Sequence, residues 1–287
     1  MIFSMTGFGK SKASMGNAHY QIEVKSLNSK QLDIHVRIPI HFKEKEIAFR
    51  KLINTKLSRG KVELIISVEK GEESSSHIIN PSILQGYIAQ LKEMGLSADS
   101  SVVSALLKMP NVLKVEENAI EEKDWQALLG GIEEALEKLT DFRLQEGKAM
   151  QEDFEMRIGK IANFNKVVEE NAPSRIEKIK ARIKENLTKI EDIEVNESRL
   201  EQELIYYLEK LDVTEETVRL ANHCTYFLET MNDDTVTKGK KLNFIAQELG
   251  REINTIGSKS NDTVLQKTVV DMKDELEKIK EQLNNVL

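Results

Sequence analysis

KGKKLNFIAQELGREINTIGSKSND, running from Lys238 to Asp262, separates into two stripes when wound at helical period. Leu242, Ile245, Leu249, Ile253 and Ile256 form the apolar side of an amphipathic helix. Glu248, Arg251, Glu252 and Thr255 stand at i, i+3, i+4 and i+7 on a neighbouring side, so two carboxylates, a guanidinium and a hydroxyl can act together. A solvated ion-pair network has the same spacing and is worth a few tenths of a kcal/mol. The flanks add a second signal. Lys238, Lys240 and Lys241 precede the helix, and Gly257, Ser258, Lys259 and Ser260 close it. Carboxylates bracketed by cations suit a phosphate-rich partner.

Outward from this helix, everything after Trp125 reads as long helices rich in Glu, Lys, Leu and Ile, with breaks expected at Asn171-Ala172-Pro173 and near Asp192–Ser198. Residues 199–229 read as two helices meeting at Leu211–Thr214. In the second, Val213, Thr217, Leu220, Ala221, Cys224, Phe227 and Leu228 form the apolar side, and Glu216, Arg219 and His223 a polar one. Asp212 extends that polar stripe backwards, and it also stands where a helix cap belongs. Segment 175–190 and the tail 265–287 have coiled-coil-like spacing suited to structure or subunit contact.

The beginning of the chain has the other period. Tyr20–Ile22–Val24 and Leu32–Ile34–Val36–Ile38 alternate as strands, with Ser26–Lys30 as the turn between them. A helix follows over 44–57, stopped by Arg59-Gly60, and then a strand over 61–70. Asn80-Pro81 opens another helix, and a short one covers about 101–108. The fold class is therefore α+β: an N-terminal basic αβ domain over 1–120, and a helical domain over 121–287 that carries the candidate catalytic motifs and the oligomer contacts.

The 287 residues, 40% hydrophobic, are enough for a sizeable core. No apolar run spans a bilayer and the start lacks a signal-peptide core, so a cytoplasmic protein is expected. The lone cysteine, Cys224, excludes an internal disulfide and reads as a core residue. Net charge is −7, but residues 1–70 hold 13 Lys and Arg against 6 Asp and Glu. A basic module on an acidic helical scaffold is the result. Solubility alone could also account for the basic surface.

There is no CxxC, HExxH, calcium loop or GxxxxGK[ST] loop, and GFGK is too short for a nucleotide fingerprint. Nucleotide cofactors are thus not expected. Glu248 and Glu252, one turn apart, can share Mg²⁺ or Mn²⁺ through oxygens and waters, with Glu216 as a further ligand. His223, the lone histidine of the helical half, suits proton transfer or metal ligation, and is equally readable as a partly exposed histidine with no such role. Arg251 and Lys259 are candidates to stabilise charge on a phosphate. Candidate RNA contacts are Lys25, Asn28, Lys30, Arg59 and Lys61 at the strand ends, with Lys238, Lys240, Lys241 and Ser258 around the polar helix. At 5% aromatic content no base-stacking platform is evident.

The chain resembles the YicC/YloC family of bacterial proteins from end to end. The resemblance rests on SMTGFG at Ser4–Gly9, SLNSKQLD at Ser26–Asp33, RGKVE at Arg59–Glu63 and RLEQE at Arg199–Glu203. It continues through DVTEETVRLANH at Asp212–His223 and GKKLNFIAQELGREINTIGSKS at Gly239–Ser260. Lys30 stands where the family usually has arginine, and Asn243 where it usually has aspartate. Membership implies a metal-dependent endoribonuclease that cuts single-stranded regions of structured RNA. It further implies a ring-like or clamshell homo-hexamer and a link to stress physiology and small-RNA turnover. A rival reading is a non-catalytic oligomeric RNA clamp that presents RNA to another nuclease, and a third is a purely structural assembly driven by the tail 265–287.

Overall fold

Strand β1 (Gly7–Met15) turns Gly9, Ser11, Ala13 and Met15 inward. β2 (Ala18–Leu27), β3 (Leu32–Arg37) and β4 (Gly60–Glu69) complete a four-stranded sheet in the order β1-β2-β4-β3. The computed structural model describes residues 1–15, 18–69, 77–97, 99–115, 121–188, 197–235, 237–260 and 262–287. β1, β2 and β4 are antiparallel, placing Val24 opposite Leu64 and Ile22 opposite Ile66. β3 instead runs parallel to β4, which requires a crossover, supplied by the 3₁₀ turn Ile40–Lys45 and helix α1 (Glu46–Lys56). Ser26–Lys30 is therefore not a hairpin turn, because β4 lies between the two strands it joins.

β1 went unread in the sequence because its inner residues are small, leaving no apolar alternation. Their smallness is what the packing needs. A Cβ on Gly9 would stand 1.9 Å from the carbonyl oxygen of Ala135, and one on Gly131 would stand 2.6 Å from Ile22 Cδ1. Ser11 Oγ donates to Gly131 O at 2.6 Å. Both Gly131 and Ala135 belong to α4 (Glu122–Thr188), a helix of 67 residues, about 100 Å long at 1.5 Å per residue. It runs through Pro173, where a break was expected. Proline costs one hydrogen bond and a steric clash, and the strong helix formers on both sides carry the helix past it. The second expected break, near Asp192–Ser198, falls mostly outside the described residues.

Between β4 and α4, β5 (His77–Ile79) pairs with β6 (Leu113–Val115), enclosing α2 (Pro81–Glu93) and α3 (Ser100–Leu106). After α4 come α5 (Glu197–Leu211), α6 (Thr214–Asn232), α7 (Gly239–Lys259) and α8 (Thr263–Leu283). The α+β class is thus the observed one.

Two apolar clusters share α4. Its first turns bring Leu128, Ile132, Leu136 and Leu139 to the sheet and to Phe42, Phe49 and Ile53. Further along, Phe154, Ile158 and Ile161 meet α6, α7 and α8 in a four-helix arrangement, with Phe154 edge-on to Phe227 at 5.9 Å between ring centres. α8 buries Leu265, Val269, Met272, Leu276 and Ile279 in this core. The tail expected to drive assembly therefore spends its apolar side within its own chain, and it leaves the helix after Leu283. Outside the core, α5 presents Ile205, Tyr206 and Tyr207 to solvent.

The same close approach predicts opposite outcomes for two glycines. Gly9→Ala should lower unfolding free energy in urea by about 2 kcal/mol or more, through overpacking against backbone. Gly130→Ala, where a Cβ meets nothing within 4 Å, should raise it by about 1 kcal/mol.

A second prediction concerns the joint between α4 and α8. Glu275, with its side chain 9% exposed, accepts from Arg157 at 2.9 Å, Lys160 at 3.2 Å and Lys278 at 3.3 Å. Burial alone would push its carboxyl up, but the hydrogen bonds from Lys160, Lys278 and Arg157 hold it below the usual glutamate range. A carboxyl lowered by folding stabilises the fold above its unfolded value, about 4.3, and that contribution disappears as pH falls through the lowered value. Glu275→Gln should cost about 2 kcal/mol at pH 7, the difference from wild type vanishing in acid.

Candidate functional site

The polar side of α7 is decided by helical register. Lys241 stands over the Tyr226 ring at 4.9 Å, and Lys259 Nζ donates to Glu216 Oε1 and to the Asp212 carbonyl, both at 2.8 Å. These contacts set α7 antiparallel to α6. Residues seven apart return to nearly the same side of a helix. Glu248 follows Lys241 by seven and Glu252 precedes Lys259 by seven, so both carboxylates lie on the side turned to α6. On α6, His223 follows Glu216 by seven. Glu248 and Glu252 thus share the groove between α6 and α7 with Glu216 and His223, whereas Arg219 is exposed and pairs with Glu215.

Their environments differ. Glu248 is exposed and loosely paired with Arg251, at 3.9 Å, while Arg251 is 77% exposed. Glu252 is only 5% exposed and, among the described residues, has neither a hydrogen-bond nor an ion-pair partner. Its carboxylate oxygens still touch solvent, so the group is open to a ligand rather than sealed in. Glu216, expected on an exposed polar stripe, is instead 7% exposed, committed to Lys259 through one oxygen and unpartnered at the other. His223 is half-buried. Ala221, read as core, is exposed. Asp212 accepts from Thr214 N and Oγ1 at the start of α6, the capping role, and the hydroxyl bond holds its carboxyl below the usual range. Burial pushes the Cys224 thiol up to about 12, so it is no nucleophile at neutral pH.

Among the described residues no three His, Cys, Asp or Glu side chains come together to hold a metal. Glu216, with one oxygen on Lys259, is not gathered with Glu248 and Glu252 into such a group in this structure. Two carboxylates one turn apart, one of them without a counter-charge, still fit a hard cation that keeps waters and phosphate oxygens in its shell.

At the other end of α7, residues read separately in the sequence converge. A cavity of about 590 Å³ is lined by Asn28 and Lys30, by Arg59, and by Lys240 and Asn243 of α7. Its walls are tied together. Asn28 Nδ2 donates to Asn284 O at 2.6 Å, Arg59 Nε donates to Ser29 O at 2.9 Å, and the Lys238 and Gly239 amides donate to Leu287 O at 2.9 and 3.0 Å. Leu287 N in turn donates to Phe3 O, and Met5 N to Asn285 O. Asn28, first read as a turn former or a phosphate contact, holds this wall in place.

Other predicted contacts lie elsewhere. Lys25 and Lys61 are exposed on the outer side of the sheet, Lys25 being 3.1 Å from Glu23. Lys238 is not displayed at all: it is 2% exposed, and its ammonium donates to the carbonyls of Met231 and Asp233. Ser258 turns its hydroxyl back to Thr255 O at 2.9 Å.

Sequence reading missed the part played here by four residues. Arg143 of α4 is 4% exposed and donates to Met5 O, Ser26 Oγ and Arg59 O, with no carboxylate partner among the described residues. It sat unnoticed among many charges of a long helix, and only its burial marks it. Gly60, at φ 117°, passes so close that a Cβ would stand 3.2 Å from the Arg143 guanidinium. Phe244 is 57% exposed with Lys240 at 6.0 Å, and Tyr226 is 45% exposed beneath Lys241. A phenylalanine on the polar side of an amphipathic helix is a signal the overall aromatic content conceals.

The two halves of the chain match two regions of one family. The model described as "Endoribonuclease YicC-like, N-terminal region" covers residues 2–152, and "Endoribonuclease YicC-like, C-terminal" covers 168–287. A protein of Clostridioides difficile (strain 630) named "Probable endoribonuclease YicC" is 35% identical over 296 residues, covering 100% of both chains. One of the same name from Haemophilus influenzae (strain ATCC 51907 / DSM 11121 / KW20 / Rd) is 28% identical over 293 residues, again with full coverage of both. With both regions matched in order and a full-length relative above 30% identity, the chain belongs to the YicC-like endoribonuclease family.

Proposed function

We propose that the protein is an endoribonuclease that cuts single-stranded regions of structured RNA with the help of Mn²⁺ or Mg²⁺. The observation that carries this reading is Glu252, a largely covered residue whose carboxylate has no partner among the described residues, beside Glu248 in a groove flanked by Lys241 and Lys259. Names of the relatives support RNA as the substrate.

Glu248 and Glu252 are the residues that would hold the ion, which supplies charge neutralisation and a more acidic bound water. The chain's own groups do the rest. Arg251, extended into solvent, reaches the phosphate where negative charge develops. His223, on the wall of α6 facing the groove, accepts or delivers a proton at an imidazole nitrogen. Lys259 has a different part from the one its sequence position suggested. Tied to Glu216 and Asp212 O, it clamps α6 against α7 and so positions His223. Lys240 and Lys241 engage backbone phosphates, and Phe244 and Tyr226 offer faces to unpaired bases, which favours single strands over duplex.

The apolar side chains displayed by α5 support a homo-oligomer, for which a hexamer is our reading, acting in the cytoplasm in stress-related or small-RNA turnover. No helix among the described residues is long and apolar enough to cross a membrane. One observation favours the rival clamp: the cations of the cavity and the carboxylates of the groove lie at separate places along α7, so binding does not require cutting.

Two measurements separate these readings. Cleavage of a labelled stem-loop RNA should require Mn²⁺ or Mg²⁺ and fall by at least about 100-fold in Glu252→Gln and Glu248→Gln, with RNA affinity nearly unchanged. Tight binding without cutting under any metal condition leaves the clamp. Lys240→Glu with Lys241→Glu should weaken binding and reduce the salt slope by about 1.4, the contribution of two phosphate contacts on a single strand.

A further inference from the structure

We infer that the cavity beneath Lys30, Arg59 and Lys240 binds a phosphate monoester, so that the protein recognises the phosphorylated end of an RNA strand or a nucleotide of the same chemistry. The inference rests on the RNA-cleaving reading for its biological setting, but the site is argued from its own residues.

The lining contributes three cations and three asparagines, Asn28, Asn243 and Asn284, and no acidic side chain. On a chain of net charge −7 with 48 acidic residues, an acid-free concave site is a marked local departure. Behind it lies a fourth cation. Arg143 donates to Met5 O at 3.1 Å and to Arg59 O at 3.4 Å, and both Met5 and Arg59 belong to the cavity wall. Arg143 is buried, and among the described residues its guanidinium is met only by neutral oxygens. Burial pulls its pKa down, yet an arginine keeps its proton in a folded protein. A buried positive charge without a counter-ion among the described residues is stabilised by an anion nearby, and the cavity is where one can sit.

Arg59 is prepared for such an anion. Its Nε is held by Ser29 O and its main-chain carbonyl accepts from Arg143, while its two terminal nitrogens have no hydrogen-bond partner among the described residues. A fixed guanidinium fork is matched to a pair of phosphate oxygens. Lys30 and Lys240 add point charges from opposite walls. The amide donors at the start of α7 are not the attraction, since Lys238 N and Gly239 N already donate to Leu287 O.

Charge selects the monoester. A phosphate monoester carries about −1.5 to −2 at neutral pH, against −1 for an internal phosphodiester, and four converging cations favour the higher charge. Size agrees: about 590 Å³ is within the range of small-ligand sites and accommodates a terminal nucleotide. With Lys240 in the cavity and Glu248 eight residues along the same helix, an end held here would leave the strand running toward the carboxylates about 12 Å away.

The test uses the full-length protein in chelator with a 3′-labelled, fully 2′-O-methylated single-stranded octamer, which resists cleavage, bearing either a 5′-phosphate or a 5′-hydroxyl. A 3′-phosphate version covers the other end, and AMP and GMP are titrated as competitors. The expected result is at least tenfold tighter binding of one phosphorylated octamer than of the hydroxyl form. Lys30→Ala should abolish that preference, Asn243→Asp, which installs a carboxylate in the wall, should do the same, and Lys12→Ala on the outer side of the sheet should keep it. Displacement by AMP or GMP as strongly as by the oligomer identifies a nucleotide site of the same chemistry. Equal affinity for all ends with no nucleotide binding overturns the inference. Cleavage of unmodified RNA by the same preparations is scored separately, so loss of the nuclease reading with the end preference intact, or the reverse, is directly visible.

Discussion

Everything in this molecule depends on how near the first strand comes to the long helix. Gly9 passes the backbone of Ala135, and Gly147 passes Ile2, at separations where a methyl group would stand 1.9 and 2.0 Å from a carbonyl oxygen. Backbone-to-backbone approach of this kind draws the N-terminal segment down the side of α4. There Thr6 Oγ1 donates to Glu146 at 2.6 Å, Ser4 N donates to Arg143 O at 3.0 Å, and Arg143 is sealed in. A single rigid rod then serves two cores, and the sheet and the helical bundle share it as a common axis.

Much of the fold was legible because period and burial agree where one side of an element faces a core. Leu242, Ile245, Leu249, Ile253 and Ile256 are all buried, and the junction of α5 and α6 falls within the expected Leu211–Thr214. What was illegible has three physical sources. β1 packs with small residues, so it carries no apolar alternation. Pro173 opposes helix locally but is outweighed by its neighbours, a contest that local rules decide the other way. The β2–β3 order fails because strand pairing is a tertiary choice, and β4 competes for the same edge.

Candidate site residues divide in the same manner. Spacing of seven was enough to group Glu248, Glu252 and Lys259, and Glu216 with His223, because register is local. It could not distinguish a displayed cation from a swallowed one: Lys238 and Lys240 are two residues apart, yet the first is sealed under Met231 and the second lines the cavity. Nor could it show that Asn28, Lys30 and Arg59 meet α7, since more than 180 residues separate them in the chain.

That separation has a consequence for when the molecule becomes competent. Residues 3–5 are joined by backbone hydrogen bonds to residues 285–287, and Asn284 and Val286 supply part of the cavity wall. During synthesis every cation of the cavity is made before its last wall, so a growing chain still attached to the ribosome carries the charges without the enclosure that organises them. Closing so long a loop is also among the slower events of folding. The cavity therefore takes its shape only once residues 3–5 and 285–287 have met.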